Sequence, residues 1–279
     1  MDPKPARPSS LTRLNKLIAD SGLTSRRKAD RLIETGKVMV NGKKVFELGI
    51  KVNPNSDKVV VDGHPLRRKF EHIYIMFHKP RGVLTTLSDP EDRPTIKDYL
   101  KEVPTRVFPV GRLDWDSEGL LLLTNDGEYA NRVMHPKDEV TKTYLVKLDK
   151  PARPDQIRKL LSGVTIVGGR VKAKHIESVQ RGRELHPWLK IIIDEGKNRQ
   201  IRQMFEKIDC DVLKLQRVAI GRLRMGSLPR GHLVYLNDVA AERVFLADEP
   251  ETVKKLKSYQ GGQKSVKKQP SAKATIFPK

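Results

Sequence analysis

Short hydrophobic runs of strand length recur between residues 73 and 236, and most are bounded by glycine, proline or charged residues. They predict strands at residues 73–77, 107–110, 120–124, 144–148, 164–167, 189–194, 212–215 and 233–236. Helical patterns separate some of these runs, at about residues 126–134, 154–162, 197–207 and 238–246. Many short strands with few helices predict an α+β domain with a mixed, largely antiparallel β-sheet and flanking helices.

A smaller block at residues 11–66 has its own pattern. Apolar residues at helical spacing predict two helices, the first with Leu11, Leu14, Leu17 and Ile18 on one face and the second capped by Ser25. The turn pair Asn41 and Gly42 lies between valines and predicts a β-hairpin. The block is therefore expected to be a compact α+β module.

Amino-acid composition indicates where the folded part of the chain begins and ends. The first ten residues are rich in proline and serine, and the last thirty or so are rich in lysine without apolar periodicity, so both segments are expected to be disordered. We predict a leader at 1–10, the small module at 11–66, a charged linker at 67–72, a larger domain at 73–248 and a basic tail at 249–279.

Net charge narrows the class of partner. The chain has 55 lysines and arginines against 34 acidic residues, a net charge of +21. Such an excess favours a polyanionic partner, because basic side chains displace the counterions of a phosphate backbone. No apolar run approaches the length of a membrane-spanning helix, so we expect a nucleic acid rather than a membrane.

The remaining composition favours a cytoplasmic, metal-free protein. The first residues contain no apolar stretch of the signal-peptide type, and the single cysteine, Cys210, fits a reducing compartment and is interpreted as a small buried hydrophobe. The seven histidines have no paired spacing with cysteines or acids that would predict a metal site. We expect no cofactor and take a monomer as the default.

The module carries a basic surface. Arg26, Arg27 and Arg31 lie mostly off the apolar face of the second helix, and Lys43 lies in the hairpin. Such residues suit phosphate contacts, although a solvated helix face is the common alternative. The string RLNKLIADSGLTSRRKADRLIETGKVMVNGKKV resembles the alpha-L motif, the small RNA-binding domain of ribosomal protein S-four, and the resemblance favours RNA binding.

An acidic loop precedes the run at 120–124. Asp114 is followed by Asp116 and Glu118, in a segment that also contains glycine and serine. Taken alone, an aspartate in such a loop is most often a turn former. Three acids this close also allow a two-carboxylate hydrolase, although neighbouring loop acids rarely face each other across one bond.

The order of several motifs resolves this ambiguity. GRLDWDSEGLLLLTNDG is followed by KTYLV at 142–146 and EGKNRQIRQMFE at 195–206, and HKPRGVLTT precedes them at 78–86. Together, behind the alpha-L module, they resemble the pseudouridine synthase superfamily, in particular the bacterial branch that modifies ribosomal RNA. The resemblance extends from residue 11 to about residue 246.

The resemblance implies an activity and a set of catalytic residues. The activity is isomerisation of uridine to pseudouridine in ribosomal RNA, 23S favoured over 16S, with the base flipped into a cleft and no cofactor. Asp114 matches the catalytic carboxylate, Tyr144 the aromatic residue that packs against the target base, and Arg202 the arginine that forms an ion pair with the catalytic aspartate. Gln203 stands where relatives usually have a second arginine.

Other basic residues receive less specific predictions. We expect RNA contacts from Arg112, Lys142, Lys197 and Arg199, and a loop-shaping or RNA-contact role for Lys79 with Pro80. Surface solvation and RNA contact both remain open for Arg217, Arg222, Arg224 and Arg230. The hypothesis from a different class is a non-catalytic RNA-binding factor of ribosome assembly.

Overall fold

The computed structural model describes residues 11–66, 71–179 and 188–246. The predicted leader, most of the predicted linker and the predicted basic tail lie outside the described residues. Searched over the described part of the chain, no helix is both long enough and apolar enough to span a bilayer.

The small module packs two helices on short strands. Its elements are β1 (Thr12–Arg13), α1 (Leu14–Asp20), α2 (Arg26–Glu34), β2 (Val38–Val40), β3 (Lys43–Val45), β4 (Lys51–Val52), β5 (Val59–Val61) and β6 (His64–Pro65). Four of the strands form an antiparallel sheet in the order β3-β2-β5-β6, and β1 pairs with β4. Leu14, Ile18, Ala29 and Ile33 pack against the strand valines to form the module's own core.

Local signals set the ends of these elements. The Ser25 side chain accepts a hydrogen bond from the backbone N–H of Lys28, which confirms the predicted N-cap of α2. Asn41 and Gly42 both have positive φ, as the predicted two-residue hairpin turn requires. The placement of Leu11 on the apolar face of the first helix was wrong, because residues 12 and 13 pair with β4 and Leu11 is 61% exposed.

The larger domain is built on a nine-stranded sheet, which confirms the predicted α+β class. Its strands are β7 (Tyr74–Lys79), β8 (Phe108–Val110), β9 (Glu118–Thr124), β10 (Lys142–Leu148), β13 (His175–Val179), β14 (Trp188–Ile193), β15 (Val212–Ile220), β16 (Leu223–Arg224) and β17 (Leu233–Leu236). The main order is β13-β14-β10-β15-β9-β7-β17, with β8 beside β9 and β16 beside β15. All pairs are antiparallel except β9 with β15.

Helices and short elements cover both faces of this sheet. They are α3 (Gly127–Met134), α4 (Pro154–Ser162), α5 (Gln200–Glu206), α6 (Asp238–Glu242), the hairpin of β11 (Val164–Ile166) with β12 (Gly169–Val171), and 3₁₀ turns at Ile96–Tyr99, Pro136–Asp138 and Arg243–Phe245. In β9, Leu121 and Leu123 enter one core while Leu120 and Leu122 enter the other. This central strand is a continuous leucine run because it is buried on both faces.

The junction of β9 and β15 positions the acidic loop. These strands pair in parallel, with Gln216 opposite Glu118 and Arg217 opposite Gly119. A β-carbon at Gly119 would collide with the backbone of Arg217, and Gly119 has a φ of +113°, so only glycine fits this close approach. The loop that carries Asp114 therefore leads directly into the middle of the sheet.

Candidate active site

The loop between β8 and β9 presents two carboxylates at a partly open surface. The side chains of Asp114 and Asp116 are 27% and 28% exposed. The backbone N–H of Ser117 donates to the carbonyl of Asp114 at 3.1 Å, so the loop closes in a tight turn. Its side chains are thus available to a ligand while its backbone is hydrogen-bonded.

A buried lysine anchors this loop. Lys79, at the end of β7, has no exposed surface, and its Nζ donates to the carbonyls of Pro80 at 2.9 Å, Asp114 at 3.1 Å and Ser117 at 2.9 Å. Burial lowers the pKa of Lys79 to about 8, against the opposing effect of the loop's three acidic side chains. Of the two roles expected for this residue, its contacts fit loop shaping.

Two arginines of the 195–206 motif contact the acids. The Arg199 guanidinium donates to both Asp116 carboxylate oxygens, at 3.3 and 3.2 Å, and lies 3.9 Å from Oδ2 of Asp114. Arg202 lies deeper: its Nη2 is 3.1 Å from Oδ2 of Asp116, and its Nη1 donates to the carbonyl of Val212 at 2.6 Å. Arg199, at the start of α5, has a φ of +46°, a strained backbone conformation of the kind that clusters at functional sites.

This arrangement corrects the predicted ion pair between Arg202 and Asp114. Among the described residues, the carboxylate that Arg202 contacts is that of Asp116, and the guanidinium within 4 Å of Asp114 is that of Arg199. Burial lowers the pKa of Arg202, and the charge of Asp116 and, to a smaller extent, that of Asp114 oppose this effect. Burial alone would raise the pKa of Asp116, but the hydrogen bond from Arg199 and the charge of Arg202 lower it. Asp116 is thus a salt-bridged anchor, which disfavours the two-carboxylate hydrolase.

A tyrosine and an arginine continue the site across the sheet. Tyr144 in β10 pairs with Arg217 in β15, which in turn pairs with Gly119 at the start of β9. Both side chains are buried, 8% and 5% exposed, and Arg217 Nη1 donates to the Tyr144 hydroxyl at 3.5 Å. Arg217 Nε donates to the carbonyl of Leu120 at 2.7 Å. The sequence left surface solvation and RNA contact open for Arg217, and its burial excludes surface solvation.

Comparison with known proteins supplies the family. Residues 73–207 match the family model described as RNA pseudouridylate synthase, and residues 12–58 match the S4 domain. A relative from Bacillus subtilis, named ribosomal large subunit pseudouridine synthase B, is 44% identical over 79% of this chain and 90% of its own length. The chain belongs to the RNA pseudouridine synthase family. It is an RNA-modifying isomerase.

Two further relatives agree with this assignment. The dual-specificity RNA pseudouridine synthase RluF of Escherichia coli K12 is 39% identical, over 83% of this chain and 77% of its own length. A solved structure described as a pseudouridylate synthase superposes with a TM-score of 0.58 and 28% identity, covering 83% of this chain and 99% of that chain. The α+β fold and the S4 module are thus shared with known synthases.

Two lysines that were predicted to contact RNA have side chains that bind protein atoms. Lys142 is partly buried and its Nζ donates to the carbonyl of Asp194 at 3.3 Å; burial, helped by the charge of Arg217, lowers its pKa to about 8. Lys197 Nζ donates to the carbonyl of Arg170 at 3.2 Å and lies 3.5 Å from the Glu195 carboxylate. Lys142 thus lies near Arg217 of the site, whereas Lys197 lies against the β11–β12 hairpin, and the ammonium groups of both already have partners.

The basic residues of the S4 module are exposed. Arg26, Arg27, Arg31 and Lys43 all have solvent-exposed side chains, as predicted. None of them takes part in an ion pair within the part of the chain that the structure describes. Arg112, beside the acidic loop, is exposed in the same way. These side chains are free to meet phosphates.

A basic groove extends from the S4 module onto the larger domain. Its volume is about 740 Å³, and its lining includes Leu23, Ser25 and the segment 103–107. All of its charged lining residues are basic: Lys28, Lys97, Lys101 and Arg106. Burial lowers the pKa of Arg106, and no carboxylate balances its charge among the described residues. The groove has the charge that a phosphate backbone requires.

Proposed function

We propose that this synthase isomerises a uridine of ribosomal RNA, with 23S favoured over 16S, and that Asp114 is the catalytic carboxylate. The observation that carries the proposal is the geometry of Asp114. Its carboxylate is partly exposed, its backbone is held by buried Lys79, and a guanidinium lies 3.9 Å from its Oδ2. The large-subunit preference rests on the name of the Bacillus subtilis relative.

The reaction suits a carboxylate without an additional group donor. The bond between ribose carbon 1′ and uracil nitrogen 1 breaks, the base turns, and carbon 5 joins carbon 1′. Carbon 5 loses a proton and nitrogen 1 gains one, so the product is an isomer and nothing is oxidised. Asp114 acts on the sugar either as a nucleophile at carbon 1′ or as a base.

We assign complementary roles to the neighbouring side chains. Arg199 balances the negative charge of Asp114, since it is the closest guanidinium to that carboxylate. Arg202 positions the loop through Asp116 and Val212. Tyr144 packs against the extruded uracil, and stacking of this kind offsets part of the few kcal/mol that extrusion costs.

RNA delivery is assigned to the basic surfaces. Arg26, Arg27, Arg31 and Lys43 contact phosphates from the S4 module, and Arg112 does so beside the acidic loop. The basic groove adds four cations between the S4 module and the segment 103–107 of the larger domain. Lys142 and Lys197 reach RNA only by exchanging their present carbonyl partners.

The organisation of the protein follows the same proposal. We infer an S4 module at residues 11–66 and a catalytic domain at 73–248, each with its own apolar core in the described residues. We further propose that the synthase acts as a monomer in the cytoplasm, where ribosomal RNA is available.

Mapping of pseudouridines tests the proposal. Purified synthase is incubated with unmodified 23S and 16S transcripts and with ribosomal subunits, and pseudouridines are located by chemical derivatisation and primer extension. We expect one or a few new pseudouridines in 23S RNA and none with Asp114→Asn. If every uridine remains unchanged on naked RNA and on subunits, or if Asp114→Asn complements a deletion strain fully, the non-catalytic assembly factor becomes the better hypothesis.

A further inference from the structure

Trp115 directly follows the catalytic aspartate and is strongly exposed. Its side chain is 44% exposed, whereas Trp188, the other tryptophan of the chain, is 5% exposed. A single exposed hydrophobic residue is ordinary on a protein surface. Trp115 differs because of what supports it and what surrounds it.

The indole rests on a preorganised surface. The backbone N–H of Gly82 donates to the Trp115 carbonyl at 2.8 Å, and a β-carbon built on Gly82 would lie 3.8 Å from Cζ2 of the indole. Lys79 donates to both Pro80 and Asp114, so one buried ammonium holds the turn below the indole and the loop that carries it. The backbone that carries the indole is therefore fixed before a flat ligand arrives, which lowers the ordering cost of stacking.

Exposed cations are close neighbours in the chain of Trp115 and of Gly82, which lies against its indole. Arg112 and Arg81 are exposed, and Arg81 lies close enough to Arg202 for its charge to lower that residue's pKa. Arg199 is 46% exposed, and its Nη1 lies 3.9 Å from Oδ2 of Asp114, the residue before Trp115. An aromatic face among guanidinium groups is the arrangement with which proteins hold single-stranded nucleic acid.

We propose that Trp115 is a nucleobase-stacking subsite that holds an unpaired base flanking the target uridine. The inference rests on the proposed function, because it assumes RNA at Asp114. The target base itself is assigned to buried Tyr144, while the exposed indole lies at the rim, where a neighbouring nucleotide remains after the target is extruded. Trp115 therefore contributes to substrate affinity and to the sequence context of the modified site.

Tryptophan fluorescence tests the contact without turnover. The probes are a single-stranded oligouridylate and an abasic phosphodiester of equal length, each added to Asp114→Asn protein, with binding followed by anisotropy. Trp115→Phe in the same background reports Trp188 alone and is subtracted. We expect the oligouridylate to quench the Trp115 emission and the abasic chain to bind without quenching. Emission that stays unchanged on bound oligouridylate, or equal quenching by both probes, overturns the proposal.

Steady-state kinetics give a second, independent test. The assay measures tritium released from carbon 5 of labelled uridine in 23S transcripts. Trp115→Ala and Trp115→Leu should raise KM about 5- to 100-fold with kcat nearly unchanged, and Trp115→Phe should stay within about threefold. Tyr235→Ala, which removes a half-exposed aromatic residue from the edge strand β17, is the matched control and should have no effect.

The outcomes separate this proposal from the proposed function. If Trp115→Ala matches the wild type, or lowers kcat with KM unchanged, the stacking subsite is wrong while the synthase activity stands. If the wild type releases no tritium from either ribosomal RNA, the proposed substrate fails. In that case the fluorescence experiment still decides whether Trp115 stacks on bases.

Discussion

Positive charge is used in opposite ways at the acidic loop and on the S4 module. At the loop, Lys79 and Arg217 are buried and donate to backbone carbonyls, and Arg202 is 13% exposed and paired with Asp116. On the module, Arg26 and its neighbours on α2 are exposed and have no ion pair among the described residues. The first set of charges has protein partners, whereas the second set is left for an external anion.

The difference teaches that burial and partners, rather than residue type, decide what a basic side chain does. A buried cation with three carbonyl acceptors fixes a backbone, so its loss should reduce stability and activity together. An exposed cation without a partner costs the fold nothing when removed, so its loss should appear only in RNA binding. Four predictions test this division, from the largest expected effect to the smallest.

The largest effect is expected at Lys79. Lys79→Met removes three hydrogen bonds at a buried position and leaves the carbonyls of Pro80 and Ser117 without this donor, while the Asp114 carbonyl keeps the N–H of Ser117. The free energy of unfolding should fall by about 3 kcal/mol. Because the same bonds hold Asp114, activity should fall at least about 100-fold. Chemical denaturation and tritium release measure the two effects. Lys43→Met, the same substitution at an exposed lysine of the module, should change stability by less than about 0.5 kcal/mol. Equal losses of stability in Lys79→Met and Lys43→Met would contradict the distinction between buried cations with protein partners and exposed cations without them.

The two arginines that contact the acidic loop should differ in their effect on stability, because one is more deeply buried than the other. Arg202→Gln removes a carbonyl contact and a partly buried ion pair and should cost about 2 kcal/mol of stability. Arg199→Gln removes a pair that is 46% exposed and should cost under about 1 kcal/mol, yet activity should fall about tenfold because Asp114 loses its nearest guanidinium. Thermal unfolding measures the loss of stability in each variant, and single-turnover rates measure the loss of activity. A larger loss of stability for Arg199→Gln would refute the assigned roles.

Substitutions of the exposed arginines of the S4 module should weaken RNA binding and leave stability and turnover unchanged. The triple variant Arg26→Gln, Arg27→Gln, Arg31→Gln should bind 23S transcripts about tenfold more weakly at moderate salt, with a salt slope lower by about two. Its melting temperature and its kcat should match the wild type. Arg93→Gln is the control, because Asp89 already neutralises that arginine at 2.8 Å. An unchanged salt slope in the triple variant would remove the module from the binding surface.

The smallest effect is expected from pH. The pKa of Lys79 is about 8 in the folded protein, below the ordinary 10.5 of a lysine, so Lys79 is protonated below pH 8 and loses one donor above it. Activity should fall about twofold between pH 7 and pH 8 and further at higher pH. The unfolded chain binds more protons over this range, so this group makes stability rise with pH while activity falls. The pKa of Lys142 is also about 8, so the variant Lys142→Met is needed to distinguish the two lysines. Its activity should still decline with rising pH. If the decline disappears in Lys142→Met, Lys142 rather than Lys79 causes it.

Much of the fold was predictable because its signals are local. Strand β17 and helix α4 lie at the predicted residues, and the Ser25 cap and the Asn41 turn are as expected. The edge strand β13 was missed, because HIESV has only two apolar residues and they do not alternate. The edge strand β17 is no more buried, but its sequence LVYL is apolar throughout. Local pattern therefore predicts an element well where the sequence itself is apolar or alternates.

The motifs predict the residues of the site, whereas their pairings needed the structure. Asp114 and Tyr144 stay predictions as catalytic residues. The ion pair of Arg202 forms with Asp116 rather than with Asp114, because a choice between two acids two residues apart depends on loop geometry. Arg217 was left open, since Gln216 and Arg217 interrupt the apolar pattern of β15. Their burial follows from the long-range parallel pairing of β15 with β9, which no local pattern encodes.

Isosteric substitution of the two loop aspartates tests the central claim most directly. Asp114→Asn and Asp116→Asn are compared in single-turnover tritium release from 23S transcripts, with RNA binding measured in parallel. The account predicts that Asp114→Asn binds RNA normally and loses activity about 100- to 10,000-fold. Asp116→Asn, whose role is to hold two arginines, should remain measurably active with reduced stability. Substantial turnover by Asp114→Asn, or an equal and complete loss in both variants, would contradict the assignment of Asp114.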